Sequence, residues 1–136
     1  MNTKALITLE YDKIIKKLET FASSTMGKAL CKDLLPSSDY EEILSAQTET
    51  KDALTRLYKT GYLSFQGLSD IRPHLRLLEI DSTLNTKELL DIARLLSITA
   101  QAVEYGDTED DIMAYDSLNS YFVELDSLHF LCQRFT

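Results

Sequence analysis

Apolar residues recur along the chain at the i, i+3, i+4 spacing of an amphipathic α-helix. The first stripe runs from Tyr11 to Ala22 and leaves its lysines on the opposite, outward side. A second, shorter stripe runs from Met26 to Leu34, after the hydroxyl-rich run 23–25 that can cap a helix. The pattern therefore predicts two short helices, the second of which stops at Pro36.

A longer helix is predicted from the region of Ser38 to Gly61. Ser38 with Glu41 fits a capping box, and a glycine suits a helix C-terminus. The segment 61–67, with two glycines and two aromatic residues, reads as a loop with room for a short extended piece. The apolar positions that define this helix are Tyr40, Ile43, Leu44, Leu54, Leu57 and Tyr58.

Three further helices complete the predicted set. One covers Ser69 to Ile80, with Pro73 near its first turn, and another begins at the capping pair Asn85 and Glu88 and runs to Gly106. The last covers 118–132, and its apolar pattern is still running near Thr136, which predicts that the natural chain continues. The fold class is thus all-α: a bundle of about six helices forming one domain over residues 1–136.

Composition agrees with this fold class, and charge narrows the function. Only 4 Gly and 2 Pro occur among 136 residues, and 44% of the residues are hydrophobic. Residues 1–35 carry six Lys and four acidic residues, a net charge of +2, whereas residues 36–136 carry eight basic and eighteen acidic residues, a net charge of −10. Because the acidic part would repel a phosphate backbone, direct nucleic-acid contact is expected near the N-terminus or outside the chain.

Cysteine usage and hydropathy indicate the compartment. Cys31 and Cys132 are far apart, which favours free thiols in a reducing cytoplasm over a disulfide framework or a zinc site. Neither a signal peptide nor an uninterrupted apolar run of membrane-spanning length is present in the sequence, so a cytoplasmic protein with no membrane partner is expected.

A search for catalytic or ligand-binding motifs finds none. Gly27-Lys28 lacks the rest of a phosphate-binding loop, and the acidic run 107–111 lacks the spacing of a calcium loop. His74 and His129 each lack a second histidine nearby in sequence, and the carboxylate pairs Glu41/Glu42 and Asp110/Asp111 read as solvated faces. We therefore predict no catalytic residue, no metal site and no cofactor within this chain.

One set of residues is a candidate for anion contact. Five lysines cluster near the N-terminus, although the aromatic residues and glycines typical of a nucleic-acid surface are missing between them. A solvated helix face is the competing interpretation. These nucleic-acid candidates are Lys13, Lys16, Lys17, Lys28 and Lys32.

Certain segments in a particular order carry a family resemblance. Residues 8–14 (TLEYDKI) are followed by 24–28 (STMGK), by Leu35-Pro36, and by 67–73 (GLSDIRP). This order resembles the start of the bacterial endonuclease MutS type two family, and the match is specific over about residues 5–80. The same order echoes the core domain of mismatch-repair MutS.

The resemblance implies a much longer protein, of which this chain is an N-terminal part of the helical core. Long lever helices, a clamp, an ATPase that uses ATP and Mg²⁺, and usually a C-terminal nuclease domain would follow. The family is associated with homodimers, with branched DNA and suppression of recombination and, in some bacteria, with stalled ribosomes. The implied role here is a non-catalytic scaffold that contacts the remaining domains of its own chain.

Two alternatives of other classes remain open at this stage. A free-standing helical adaptor would bind a partner helix through exposed apolar surface. A small hydrolase built on the acidic loop would need a set of catalytic groups that the sequence does not display.

Overall fold

A computed structural model describes residues 3–107, 116–126, 128 and 131. Within these residues the chain forms helices and no strand, which confirms the all-α prediction, and the first helix is one that the sequence pattern did not predict. The helices of these described ranges are α1 (Thr3–Thr8), α2 (Tyr11–Glu19), α3 (Thr25–Asp33), α4 (Tyr40–Thr60), α5 (Arg72–Glu79), α6 (Thr86–Gly106) and α7 (Asn119–Val123).

The first three helices form a small cluster in which α2 packs against both α1 and α3. Glu10 takes a left-handed conformation (φ 53°) and thereby breaks α1 from α2. At the start of α3 the Ser24 hydroxyl accepts a hydrogen bond from the Gly27 N–H at 3.0 Å, which confirms a capping role within the hydroxyl run. The Tyr11 hydroxyl donates to the Leu34 carbonyl at 3.0 Å and ties α2 to the end of this cluster.

Helix α4 begins one residue later than the predicted Ser38 capping box would place it. The N-cap is Asp39, whose carboxylate accepts hydrogen bonds from the N–H groups of Glu41 and Glu42 at 2.9 and 3.1 Å. An ionised carboxylate is favoured over a neighbouring hydroxyl because it also interacts with the positive end of the helix dipole. At the other end Gly61 (φ 95°) terminates the helix as predicted.

Helix α5 starts at Arg72 and not at Ser69, because the residues before it form a side-chain-capped turn. The Asp70 carboxylate accepts a hydrogen bond from the Arg72 N–H at 3.0 Å, and this local bond competes with helix formation. Pro73 then lies in the first turn, as expected. The segment 61–67 is a loop without the extended piece that its aromatic residues suggested.

Helix α6 matches its prediction closely. Asn85 accepts a hydrogen bond from the Glu88 N–H at 3.0 Å, and Glu88 accepts one from the Asn85 N–H at 2.7 Å, so the capping box is complete. The helix then continues through Gly106, the predicted end.

We expect Asn85→Ala to lower the free energy of unfolding by about 1 kcal/mol, because one end of the capping box is lost. Urea unfolding followed by circular dichroism measures the change. Asn85→Asp keeps an acceptor oxygen at the same position and serves as the control, with a loss well below that of the alanine variant. Equal losses for the two variants would contradict a capping role.

The prediction of one continuous helix over 118–132 is wrong within the described residues. Helix α7 ends at Val123, and 124–126 are not helical. The Asp126 carboxylate accepts a hydrogen bond from the Leu128 N–H at 3.0 Å, and Leu128 has φ 43°, a conformation that no α-helix continues through. Cys132 lies outside the described residues.

The core is centred on α6, which packs against α7. Leu96, Ile98 and Ala102 are the buried hydrophobic residues of the described part of the chain. Near the end of α6 the ring of Tyr105 lies 5.8 Å from that of Phe122, and the Tyr105 hydroxyl donates to the Gly61 carbonyl at 3.0 Å. This core joins the two long helices to α7, and it leaves many apolar side chains elsewhere exposed. The assignment of residues 1–136 to one domain stays a prediction.

Candidate functional site

The five predicted nucleic-acid lysines lie on two helices that pack together. Lys13, Lys16 and Lys17 are on α2, and Lys28 and Lys32 are on α3. Of these five residues, Lys16 and Lys32 line the same groove. Whether these lysines touch nucleic acid stays a prediction.

Acidic neighbours neutralise part of this basic set. The Lys13 ammonium lies 2.6 Å from Glu10 Oε1, and the Lys16 ammonium lies 3.5 Å from Asp12 Oδ2. Lys32 pairs across the two helices with Glu19 at 3.5 Å. Because these lysine side chains are largely exposed, each pair is screened by water and contributes little stability. The pairs do reduce the local positive potential that would attract a phosphate.

Beside these lysines an open groove of about 570 Å³ runs along α1 and α2. Its accessible walls are mainly apolar, and two ion pairs, Lys16 with Asp12 and Lys32 with Glu19, also line it. A groove of this chemistry suits an apolar side chain or helix better than a nucleotide phosphate, which needs converging donors. The lining residues are Thr3, Leu6, Ile7, Tyr11, Asp12, Ile15, Lys16, Glu19, Lys32, Leu34 and Leu35.

A second polar arrangement lies where α4 meets the segment leading into α7. Arg56 is only 1% exposed and pairs with Asp116 through two hydrogen bonds, from Nε at 2.5 Å and from Nη2 at 2.7 Å. Its guanidinium carbon lies 4.8 Å from the centre of the Phe122 ring, within cation–π range. A planar guanidinium held by a carboxylate and an aromatic face is fixed in position and orientation.

Two further contacts extend this arrangement along α4. Asp52 accepts hydrogen bonds from the hydroxyl and the N–H of Ser117 at 2.6 and 3.0 Å, and the Tyr121 hydroxyl donates to Glu49 at 3.0 Å. The bonds from Ser117 lower the pKa of the Asp52 carboxyl, and the bond to Glu49 raises the pKa of Tyr121. We call these residues the Arg56 cluster: Glu49, Asp52, Arg56, Asp116, Ser117, Tyr121 and Phe122.

The Arg56 cluster acts as a structural anchor, because its polar groups bond to one another across two segments. Its acids accept hydrogen bonds from the arginine, the serine and the tyrosine, and these bonds join α4 to the segment that leads into α7 and to α7 itself. Sequence analysis missed the cluster. The spacing of Glu49, Asp52 and Arg56 on one helical face was the available signal, whereas Asp116 lies sixty residues away from its partner.

The motif 67–73 also has a structural explanation. Arg72 donates to Asp70 through Nε at 2.8 and 2.9 Å and through Nη2 at 2.6 Å, and both side chains stand at the surface. The hydrogen bonds from Arg72 lower the pKa of the Asp70 carboxyl to about 2, and Arg76 adds a smaller electrostatic contribution.

We expect Arg72→Gln to raise the pKa of Asp70 most of the way back towards 3.8, because the strongest hydrogen bonds to the carboxylate are removed. Arg76→Gln is the matched control. Arg76 affects Asp70 only through electrostatic attraction, so its removal should raise the pKa of Asp70 much less. Carbon-detected NMR titration of the Asp70 side chain measures both shifts. Equal shifts for the two variants would contradict the pairing seen here.

The histidines and the acidic run 107–111 are the remaining candidate metal ligands of the sequence. His74 Nε2 lies 3.4 Å from Asp91 Oδ2, and within the described ranges no group of three or more His, Cys, Asp or Glu side chains is placed to hold a metal ion. His129 and most of the acidic run 107–111 lie outside the described residues. Across the described helices, none is both long and apolar enough to cross a bilayer.

Comparison with known proteins gives a consistent set of relatives, each named Endonuclease MutS2. The chain is 47% identical over 133 residues to the protein of Lachnoclostridium phytofermentans, a match that covers 94% of this chain and 17% of that protein. It is 39% identical over 134 residues to the protein of Agathobacter rectalis, covering 98% of this chain and 17% of that protein. For the protein of Ligilactobacillus salivarius the identity is 39% over 129 residues, covering 94% of this chain and 16% of that protein. The chain thus spans about 17% of the length of these relatives. No protein-family model and no solved structure matches the chain.

Proposed function

The chain belongs to the Endonuclease MutS2 family, and we propose that it is a non-catalytic helical scaffold segment at the N-terminal end of a protein of that kind. In this proposal the longer protein carries the ATP- and Mg²⁺-dependent ATPase and the endonuclease activity. It acts as a homodimer on branched DNA and, in some bacteria, on stalled ribosomes. The present segment supports those activities by packing against the remaining domains of its own chain.

The observation that carries the scaffold role is the excess of exposed apolar side chains over the small core. Phe21, Leu30 and Leu35 are 75%, 73% and 70% exposed on the cluster of α1, α2 and α3. Apolar surface left in water is unfavourable, because covering it stabilises a protein by about 25 cal/mol for each Å². These faces therefore fit a segment that other parts of a longer chain cover.

Hydroxyl-radical footprinting tests this proposal on the protein encoded by the complete natural gene and on the 136-residue chain. We expect the side chains of Phe21, Leu30 and Leu35 to be oxidised several-fold more slowly in the longer protein, because they are covered there. Leu96, which is already buried in α6, serves as the internal control and should not change. Equal oxidation in both proteins, or an open reading frame that ends near Thr136, would refute the scaffold role.

Direct nucleic-acid binding by this segment is expected to be weak or absent at physiological salt. Three of the five candidate lysines already face acidic partners, and a net charge of −8 opposes approach of a phosphate backbone. Fluorescence anisotropy with a labelled branched DNA, at low and physiological salt, measures the affinity. Tight, salt-sensitive binding that disappears when Lys13, Lys16 and Lys17 are replaced by glutamine would contradict this expectation.

A free-standing helical adaptor is the second candidate, and the open groove along α1 and α2 is the observation that favours it. An adaptor of this kind would be encoded by a short gene and would bind a partner helix without the rest of a MutS2 protein. The length of the natural reading frame separates the two candidates.

A further inference from the structure

Helix α4 has an exposed face on the side opposite the Arg56 cluster. Each residue of an α-helix is rotated by about 100° from the one before it. Glu49, Asp52 and Arg56 therefore lie on one side of α4, and a row of residues at heptad spacing lies on the opposite side. The apolar and aromatic members of this row are exposed: Tyr40 by 73%, Leu44 by 45%, Leu54 by 49% and Tyr58 by 81%. Gln47 and Lys51, at the centre of the row, are exposed as well. We call this row the α4 seam: Tyr40, Leu44, Gln47, Lys51, Leu54 and Tyr58.

The outer four residues of the α4 seam are symmetric about residue 49, whereas the two central positions hold different polar residues. Tyr40 and Tyr58 are equally distant from that point, as are Leu44 and Leu54, and Gln47 and Lys51 flank it. If two copies of α4 run antiparallel with their centres aligned, tyrosine meets tyrosine and leucine meets leucine. At the centre, the Lys51 ammonium of one helix can donate a hydrogen bond to the Gln47 side-chain carbonyl of the other helix. A two-fold symmetric contact requires such self-complementarity.

We propose that the α4 seam is a docking surface for a second copy of this chain, which pairs with it in antiparallel orientation. The seam spans eighteen residue steps from Tyr40 to Tyr58, or about 27 Å at 1.5 Å per residue. In the pair, the tyrosine rings would be buried at the two ends and the leucines between the ends and the centre. The polar residues at the centre would fix how the two helices align, at some cost in stability.

The flanks of the α4 seam favour this pairing over a helix of unrelated sequence. On one flank Glu41 would face Thr55 of the other copy, and Thr48 would lie near its own symmetry mate, so no carboxylate meets a carboxylate. On the other flank Ile43 would face Leu57, which adds apolar contact. Ile43 borders a groove of about 360 Å³ beside Leu34 and Leu35, so this edge is open to an approaching helix.

The proposed function does not say which surface joins two copies, and the α4 seam adds such a surface. A longer protein could dimerise through other domains even if the α4 seam played no part, so the two ideas fail separately. Two helices in contact over this length form a small interface, for which association at about 10–100 µM is a reasonable range to examine.

Site-specific crosslinking tests the orientation. Thr48→Cys and Thr55→Cys are made separately in a background where Cys31 and Cys132 are replaced by serine. Both threonines are exposed, lie on the same edge of α4 and donate to the carbonyl four residues earlier, so the variants are matched. In the antiparallel pair Thr48 lies beside its mate, whereas the two copies of Thr55 are separated by about 18 Å along the axis.

We expect a short bis-maleimide to crosslink two chains of the Thr48→Cys variant efficiently. The yield of crosslinked dimer should be at least about fivefold lower for the Thr55→Cys variant, because its two cysteines lie too far apart along the helices. Light scattering should show the mass of the unmodified chain rising towards that of a dimer as concentration increases. Efficient crosslinking of both variants would indicate a parallel pair and would overturn the proposal. A monomeric mass at about 100 µM, the top of the range examined, without crosslinking of the Thr48→Cys variant would overturn it as well.

A charge exchange at the centre provides an independent test. Gln47→Lys places two ammonium groups opposite each other and should weaken association about threefold to tenfold, and Gln47→Lys with Lys51→Glu should restore it. Circular dichroism confirms that the variants remain helical. Failure of the double variant to restore dimerisation would exclude the Gln47 to Lys51 register.

Discussion

Replacing Asp116 with alanine is expected to lower the free energy of unfolding by about 3–5 kcal/mol, the typical cost of removing one partner of a buried ion pair. Arg56 is 1% exposed and would keep its charge without the carboxylate that now accepts two of its hydrogen bonds. Since small domains are stable by only about 5–15 kcal/mol, this loss is a large share of the total. Urea unfolding followed by far-ultraviolet circular dichroism measures it.

The control removes both charges together. Arg56→Met with Asp116→Leu leaves no uncompensated charge, so this double variant should recover most of the stability lost in Asp116→Ala. Asp52→Asn, in which Ser117 keeps an acceptor oxygen, should cost much less than Asp116→Ala. A loss below about 1 kcal/mol for Asp116→Ala would contradict the anchor role of the Arg56 cluster.

Replacing Gly106 with alanine is expected to destabilise the chain by about 1–3 kcal/mol, the usual cost of overpacking a close contact. A Cβ at this position would lie 2.6 Å from Cγ of Phe122 and closer still to its Cβ, so α7 would have to move away from α6. The sign is informative, because glycine to alanine within a helix otherwise stabilises a protein by up to about 1 kcal/mol. Thermal unfolding of the two proteins gives the difference.

A double-mutant cycle separates the clash from helix propensity. In a Phe122→Gly background both the Cβ and the ring that block the new methyl group are gone, so Gly106→Ala should become neutral or stabilising. A destabilising effect of the same size in both backgrounds would show that the cost does not come from contact with the Phe122 side chain. Hydrogen exchange at the amides of α7 would report whether this helix detaches in the single variant.

Local features of the structure could be predicted from the sequence. The capping box of Asn85 and Glu88, the glycine that ends α4 and the hydroxyl cap at Ser24 each involve residues within three or four positions of one another. Interactions at this range depend on the residue types themselves and on helix geometry. The family resemblance also rested on short motifs, and the relatives bear it out.

The errors at the helix ends have one physical cause. At the starts of α4 and α5, adjacent side chains compete for the same backbone N–H groups, and the ionised side chains of Asp39 and Asp70 accepted them. The break after Val123 depends in the same way on Asp126. In each case several local arrangements use the same residue types, so the pattern of apolar positions did not decide between them.

The candidate site was the least predictable part. A helical stripe shows that one face is apolar but not what covers it, and the stripe of α4 is largely exposed while Arg56 on the other side is buried. The partner of Arg56 is sixty residues away, and only the folded chain brings the two together. The lysine set was chosen from composition and spacing along the chain, and its contact with nucleic acid stays a prediction.

The Arg56 and Asp116 pair has a consequence for how this sequence can change over generations. A mutation at either position alone leaves a charge stranded in the interior, so the intermediate genotype is penalised whichever residue changes first. The two codons should therefore evolve as one unit: descendants retain arginine and aspartate together, or exchange both for an apolar pair. Among orthologous genes, we expect substitutions at these two positions to be correlated, although they lie sixty residues apart along the chain.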